Sequence, residues 1–378
     1  MTQPGQYIQA TEGYSAFVPD PLPPELQWTA RLTYALSEAD RAIGRLAGEG
    51  RRLPNPHVLM RPFITREAVL SSRIEGTQAT LGELLAADAG AIVDRSPEDL
   101  REVANYVVAL EYGIKRLKSL PLCVRLTQEI HCRLMEGVRA GHACPGEIRD
   151  VQNWIGVPGA TAHTATYVPP PPAELQSVLA ALERFLQDRS LPPLVQIGLA
   201  HYQFEAIHPF LDGNGRVGRL LIALFLVKRG ILPTPLLYLS AFFEATRAEY
   251  YTRLHAVTKE GDWANWLLYF LNGVARQSED AVDRAERMQE RLNKWRLQVA
   301  GLGSPTPARV VDLLAGNPFV TTKGVSASLS VAVTTARRAI QRLVDLGIVT
   351  QTNARQRDRA YCATALLQIL EEPAKLTP

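Results

Sequence analysis

The segment His208-Pro-Phe-Leu-Asp-Gly-Asn-Gly-Arg-Val-Gly-Arg219 constrains this chain more than any other, because of what stands on either side of it. Val195–Ile207 has the apolar spacing of a helix, and so does a strongly apolar run from about Arg216 to Arg229, which Gly230 ends. A tight glycine-rich loop therefore joins two helices. Within it, Gly213-Asn-Gly215-Arg-Val-Gly218 matches the G-x-G-x-x-G pattern of dinucleotide folds. That pattern has meaning only after a strand, inside a βαβ unit. Here a helix precedes it and no strand–helix alternation follows, so a doubly wound sheet is excluded. The chain has no G-x-x-x-x-G-K-[ST] segment either, which excludes a P-loop. The fold class expected is mainly α.

The rest of the chain agrees with that class. Residues 1–27, rich in Pro, Gly and polar groups, read as an extended arm. Leu26–Gly48 has helical spacing, and 50–62, with three prolines, reads as a loop. A helix from Thr65 to Ile74 stops at Gly76, and another starts near Thr80. Ser96-Pro-Glu-Asp caps a long helix through Tyr106, Leu110 and Ile114. Over 141–172 the helical period disappears; QNWIGV and TATYV read as the strands of a hairpin, ended by the Pro169–Pro172 run. Ala173–Gln187, 240–258 and 263–298 read as helices again. GLGSPTP at 301–307 is a linker by composition. After it come three helices (Ala308–Ala315, Thr322–Leu329, Val333–Leu346) and a hairpin of IVTQT and AYCA around NARQRDR, the order of a winged helix. Three domains are expected: an arm and helical region over 1–95, a core over 96–300 and a winged helix over 301–378.

Composition narrows the function. Among 378 residues, 41 basic side chains face 38 acidic ones, a net +3. A general polyanion binder is disfavoured, although one basic face can still exist. A 46% hydrophobic content excludes global disorder. The longest apolar run, Leu220–Val227, is far short of the roughly 20 residues of a membrane span. No basic region followed by an apolar one opens the chain, so no signal peptide is expected. Cys123, Cys132, Cys144 and Cys362 form no C-x-x-C pair and read as reduced thiols of a cytoplasmic protein. His131, Cys132, His142 and Cys144 fit no common zinc spacing and read as helix core and adjoining loop.

The loop concentrates the chemistry. Gly213 and Gly215 permit backbone conformations that point successive N–H groups into one concavity. The start of the following helix favours an anion there. Arg216 and Arg219, three apart on one helix face, can address two phosphates of one ligand. Asp212 is an oxygen ligand suited to Mg²⁺, and His208 can serve as a general base near neutral pH. A base, a metal ligand, an anion nest and two arginines make a nucleotide site.

HPFLDGNGRVGR resembles the signature H-P-F-x-[DE]-G-N-G-R-x-x-R of Fic-domain proteins, with every fixed position present. The resemblance implies a Fic-type helical core with a short β-hairpin flap. It also implies transfer of AMP from Mg²⁺-bound ATP to a Ser, Thr or Tyr hydroxyl of a target protein or of the chain itself. His208 would be the base and Asp212 the metal ligand. Gly213, Asn214, Gly215, Arg216, Val217, Gly218 and Arg219 would bind ATP, with Arg219 on the γ-phosphate. Phe210 would anchor the loop, and Tyr167 would belong to the flap that positions the target. In SAFFEATRAEYY, Arg247, Tyr250 and Tyr251 would flank the adenine, with Tyr251 stacked on it, while Trp263 and Trp266 pack in the core. Upstream, Ser71-Ser-Arg-Ile-Glu75-Gly76 resembles the family's inhibitory motif [ST]-x-x-x-E-[GN]. Glu75 paired with Arg219 would occupy, in cis, the group that the γ-phosphate needs. A homodimer through helical surfaces is a family habit.

Other readings use the same residues. Glu75 could orient a water that removes AMP from a modified protein. The core could serve only as the nucleotide sensor of a DNA-binding regulator. A phosphate or phosphocholine could be the group transferred. In the third helix of the winged-helix region, Ala336, Ile340, Leu343 and Leu346 are expected to face inward. Thr334, Thr335, Arg337, Arg338, Gln341 and Arg342 are expected to face outward, with Arg355, Arg357 and Arg359 at the hairpin tip. That arrangement suits DNA contact or a scaffold for dimerisation or target docking.

Overall fold

The computed structural model describes residues 4–10, 12–52, 56–138, 144–352 and 359–375. Its centre is a pair of helices, α7 (Pro193–Ile207) and α8 (Asn214–Lys228), each buried on nearly every face. That is where a helix apolar all round has to lie. Around the pair stand α1 (Ala30–Arg52), α2 (Pro56–Ile74), α3 (Leu81–Asp88), α4 (Pro97–Arg116), α5 (Val124–Leu134) and α6 (Pro172–Gln187). They are followed in the chain by α9 (Ser240–Ala245), α10 (Arg247–Glu260) and the 37-residue α11 (Trp263–Val299). Trp263 and Trp266 are buried, as expected. The cap read at Ser96 and the helix start read near Thr80 are both present. Thr80 and Glu83 form a reciprocal capping box on α3, and Ser96 with Pro97 opens α4.

Several expectations need correction. Residues 1–27 are not simply an extended arm. Strands β1 (Gly5–Gln9) and β2 (Ser15–Pro19) pair antiparallel, with Tyr7 opposite Phe17. Phe17 is fully buried and its N–H donates to Val168 O at 2.9 Å. The partner surface comes from a segment 150 positions away, so no local pattern reveals it. The loop expected over 50–62 is mostly helix: α1 runs to Arg52 and α2 begins at Pro56. A proline suits a first helical turn. Pro62 lies further inside and leaves one helix bond unmade, with Met60, Phe63 and Ile64 buried around it. The helix expected over 240–258 is broken at Thr246, whose hydroxyl bonds Tyr269 at 2.7 Å. The hairpin expected from QNWIGV and TATYV is held by one bridge, Ile155 opposite Tyr167, and forms no longer ladder.

The C-terminal region comprises α12 (Thr306–Gly316), β3 (Phe319–Thr321), α13 (Thr322–Leu329), α14 (Val333–Asp345), β4 (Thr350–Gln351), β5 (Ala360–Cys362) and α15 (Thr364–Glu371). The three helices and the hairpin follow the expected order; α15 and the strand β3, which makes a sheet of order β3-β5-β4, are additions. Leu346, expected inward, is exposed at the end of α14. The region packs on α2, α3 and α11. Buried Arg284 of α11 bonds Asp280 and the carbonyls of Ile369, Glu372 and Pro373. Asn317 Nδ2 donates to Leu85 O and Thr321 Oγ1 to Ala89 O. Among the described residues no helix is long and apolar enough to cross a membrane.

Candidate active site

His208 closes α7 in a left-handed conformation, φ +49°, with its N–H on Phe204 O at 3.0 Å. A non-glycine residue there is strained, and such strain persists only where the surroundings enforce it. The enforcing contacts are present. The reversal drives Phe210 into the core, where it is fully buried and stacks on His131 at 3.8 Å and 5°. Asn214 clamps the loop from the far side: Phe210 N–H donates to its Oδ1 at 2.9 Å and its Nδ2 donates to Phe210 O at 2.8 Å. Arg149 ties the loop to the flap, donating from Nε to His208 O (2.9 Å), from Nη1 to Val151 O (3.1 Å) and from Nη2 to Pro170 O (2.5 Å). Gly146 N–H donates to His131 Nδ1 at 2.8 Å, so the imidazole proton sits on Nε2 and is given to Asp212 O at 3.0 Å. Burial pushes the His131 pKa down to about 4, which keeps that neutral tautomer.

His208 is half-buried. Burial and then the charge of Arg149 push its pKa down to about 4, against the opposing pull of Glu75. The imidazole is therefore neutral at pH 7 and free to accept a proton. Gly213, at φ +76°, starts α8. The first bond within that helix runs from Val217 N–H to Gly213 O, so the amides before it are directed out of the helix end. Asp212 Oδ1 accepts from Gly213 N–H at 2.6 Å, and about half of its side chain stays exposed beside that end. Among the described residues no three His, Cys, Asp or Glu side chains gather at one metal position. A Mg²⁺ on Asp212 would complete its shell with phosphate and water oxygens, its ordinary habit.

The two arginines of α8 are both engaged. Arg219, 2% exposed, donates from Nε to Ser71 Oγ (2.8 Å) and from Nη2 to Ser71 O (3.0 Å) and Glu75 Oε1 (2.7 Å). Burial alone would raise the Glu75 pKa, but the charge and hydrogen bond of Arg219, helped by Arg216 and His208, hold it below the usual carboxylate range. Gly215 lies beneath this pair: a Cβ there would stand 2.2 Å from Glu75 Oε1 and 2.9 Å from Arg219 Nη1. Gly76, at φ +104°, ends the segment. Helix α2 is held in place by Glu67, which accepts from Ser240 Oγ at 2.5 Å and Tyr106 OH at 3.2 Å. Arg216, equally buried, donates from Nη1 to Glu102 Oε1 at 2.5 Å, and its Nη2 lies 3.6 Å from Asp212 Oδ1.

The structure thus gathers His208, Asp212, Gly213, Gly215, Arg216, Arg219, Ser71, Glu75 and Gly76 at one place. Other expected residues are differently disposed. The Asn214 side chain is spent inside the loop and offers a ligand only its amide. Val217 is fully buried in the core, and Gly218 faces α7, where a Cβ would meet Glu205 Oε1 at 2.4 Å. Neither points to the anion nest. Tyr167 is turned inward, its OH donating to Ala206 O at 2.6 Å; the flap residues facing out are Trp154, Ile155 and Val157. Tyr251 stands at the rim, partly exposed, with the Arg247 guanidinium 5.9 Å from its ring. Sequence reasoning missed Glu102, Arg149 and Glu205 and read His131 as plain core. Burial pushes the Glu205 carboxyl up to about 7. Each is a single residue whose partner is distant in sequence, and no local pattern marks it. All four cysteines are free. His142, Arg355 and Arg357 lie outside the described residues.

A helical core with the glycine-rich loop set between two buried helices defines a Fic-type fold, and comparison with known proteins agrees. The family descriptions "Fic/DOC family N-terminal" and "Fic/DOC family" match residues 33–115 and 121–226, together half of the chain. Protein adenylyltransferase fic-1 of Caenorhabditis briggsae is 30% identical over 224 residues, 56% of this chain and 39% of the relative. The protein of the same name from Caenorhabditis elegans is 31% identical over 222 residues, again 56% and 39%. The chain spans about two fifths of the length of the curated relatives it matches. A Fic family protein from Desulfovibrio desulfuricans has the same fold, with a TM-score of 0.60 over 90% of this chain and 98% of its own, at 20% identity. This chain belongs to the Fic family.

Proposed function

We propose that the chain transfers AMP from ATP to a hydroxyl side chain of a target protein and is restrained in cis by Glu75. One observation carries the reading: residues 144 and 148 positions apart meet so that Glu75 and Ser71 cover Arg219, the outer cation of an anion-binding helix end that starts beside a neutral histidine. The amides of 214–216, with Arg216 and Arg219, supply donors for a triphosphate. His208 takes the proton of the target hydroxyl, the oxygen bonds to the α-phosphorus, and the bond to pyrophosphate breaks. Mg²⁺, when bound at Asp212, would offset the phosphate charge. Trp154, Ile155 and Val157 offer the target an exposed apolar surface beside the flap's one bridge. Tyr251, partly exposed beside Arg247, would stack on adenine. With Glu75 on Arg219, the γ-phosphate lacks its cation and ATP binds unproductively. ATP as substrate and four free cysteines fit a cytoplasmic enzyme.

Labelling with α-³²P-ATP and Mg²⁺ tests this reading. Glu75→Gly should label itself or a lysate protein strongly, wild type weakly, and Glu75→Gly with His208→Ala not at all. Absence of label in Glu75→Gly despite ATP binding would overturn the transfer reading and leave AMP removal as the reaction to assay.

A second reading concerns the C-terminal domain, which we take to be a winged helix that docks duplex DNA. Residues 301–378 carry nine basic and five acidic side chains, so the net positive charge of the chain resides there. Asp312 and Glu372 point back to Arg296 and Arg287 of α11, while Arg337, Arg338, Gln341 and Arg342 are exposed on α14. Neutralising phosphates makes such binding steeply salt-dependent. Anisotropy of a labelled random duplex should show binding that weakens with salt and is lost in Arg337→Ala/Arg338→Ala/Arg342→Ala. No binding at low salt removes this reading.

A further inference from the structure

Arg219 has its covering carboxylate in Glu75, and Arg216 has one too, in Glu102 of α4. Glu102 Oε1 accepts a second bond, from Thr77 Oγ1 at 3.0 Å. Thr77 follows Glu75 by two residues, across Gly76, and its N–H folds back to Ser72 O at 3.1 Å. The contacts therefore close a ring: Arg219 to Glu75, along the chain to Thr77, across to Glu102, on to Arg216, and back along α8. The segment that covers one arginine is tied, through one carboxylate oxygen, to the other.

We propose that Glu102 is a positioning residue with two partners: it orients Arg216 toward the phosphates and, through Thr77, holds the inhibitory segment in its closed place. The proposal rests on the reading of Arg216 and Arg219 as phosphate ligands. Arg216 is 2% exposed and Glu102 20%, so their bond is largely shielded from water and fixes the guanidinium rather than merely neighbouring it. Arg216 Nη2, pointing to Asp212 Oδ1 at 3.6 Å, shows the direction in which that orientation aims it. The Thr77 bond is the loop-side half. When Glu75 leaves Arg219, the backbone around Gly76 must move, and the hydroxyl of Thr77 goes with it. Release of Glu75 and loss of the Thr77–Glu102 bond are then one event, and each bond raises the cost of breaking the other.

The two halves separate by mutation. Thr77→Val removes the tether and leaves Glu102 on Arg216. In the wild-type background it should raise AMP transfer three- to tenfold, about the worth of one partly shielded hydrogen bond to a carboxylate, and Thr77→Ser should restore the wild-type rate. In the Glu75→Gly background, where the latch is already open, Thr77→Val should change the rate less than about twofold. Glu102→Gln in that same background should raise the KM for Mg·ATP about fivefold with kcat nearly kept, since it loosens an orienting contact used in binding. Glu102→Asp should recover part of the loss. Equal acceleration by Thr77→Val in both backgrounds, or none in either, overturns the tether. A fall in kcat or melting temperature with unchanged KM overturns the positioning role. Hydrogen exchange over 71–78 reads the tether without reference to any reaction: it should quicken in Thr77→Val and not in Thr77→Ser. If Glu75→Gly transfers no AMP, the reading of the reaction has failed, and the exchange measurement alone decides the tether.

Discussion

The loop from His208 to Gly213 and the flap over 151–168 border the same site and are built in opposite ways. In the loop, Phe210 is bonded at both its N–H and its carbonyl, the carbonyls of His208 and Asp212 are capped by Arg149 and His131, and an aromatic stack lies beneath. The flap has one bridge, at Ile155 and Tyr167, and leaves Trp154, Ile155 and Val157 exposed. In the proposed reaction the loop's atoms must meet a phosphorus with little error, and they are fixed in advance, since a misplacement near 1 Å can cost about a hundredfold in rate. The flap, proposed to receive the target protein, keeps apolar side chains exposed. Rigidity and incompleteness are thus divided between neighbours, joined by the guanidinium of Arg149 and by Asn153, whose Nδ2 donates to Phe210 O at 2.9 Å.

The largest effect belongs to the rigid side. His208→Ala, placed in the Glu75→Gly background, should lower transfer about a thousandfold or more, within the range for a lost general base, with ATP binding kept. The pH profile of Glu75→Gly tests the same group more finely. The pKa of His208 is pushed down to about 4 by burial and Arg149, so the base form persists as pH falls and is lost only through that value. Removing Glu75 takes away a charge that raises this pKa, so the limb does not move up. Accordingly kcat/KM should stay level from pH 8 to about 5.5. An acid limb near 6.5 would mean that the histidine is solvated as in a free peptide, and the rigid-loop account would fail.

Next in size is Asn214→Ala. It deletes two bonds to Phe210 whose partners are buried, which should cost about 2 kcal/mol of stability. It should also lower kcat about a hundredfold, because the loop then samples other geometries. If kcat falls no more than the ATP-binding constant changes, Asn214 acts as a ligand rather than as a clamp.

The loop was the most legible part of the chain, and the reason is its construction. Its glycines, its histidine and its arginines are contiguous, so one stretch of sequence carries them. The helices around it were legible for a similar reason: Thr80 with Glu83, and Ser96 with Pro97, are local signals. What escaped is non-local. β2 finds its partner surface at Val168 and the residue after it, Asp20, bonds Gln203; Glu102 finds Arg216 from 114 positions away, and Arg149 reaches the carbonyls of Val151, Pro170 and His208. Asn214 and Tyr167 were legible as site residues but not in orientation, because the direction of a side chain is decided by tertiary packing. The flap was over-read as two strands. Alternating apolar residues suggest a ladder, yet the edge is left open over all but one pair.

On the incomplete side, effects should be smaller and confined to the target. Trp154→Ala with Val157→Ala removes exposed apolar surface that the flap offers a partner. The KM for the target protein should rise about tenfold, as expected for losing contacts of one to two kcal/mol, while the KM for ATP stays within twofold. A matching rise in the KM for ATP would mean that the flap supports the loop, and the division between the two regions would dissolve.

Tyr167→Phe should be the mildest change and the sharpest on the boundary between the regions. The hydroxyl makes one bond, to Ala206 O, at the base of the flap and near the end of α7. Its loss should cost about 1 kcal/mol, read as up to tenfold faster hydrogen exchange at the amides of Ile155 and Tyr167, which form the flap's one bridge. AMP transfer should change less than about twofold, because His208 and its loop take their positions from His131, Asn214, Arg149 and Asn153, none of which bonds the Tyr167 hydroxyl. A large fall in rate would show that the flap's anchor reaches the base through the last turn of α7, at Ala206, two residues before His208, and that the two regions share one rigid frame after all.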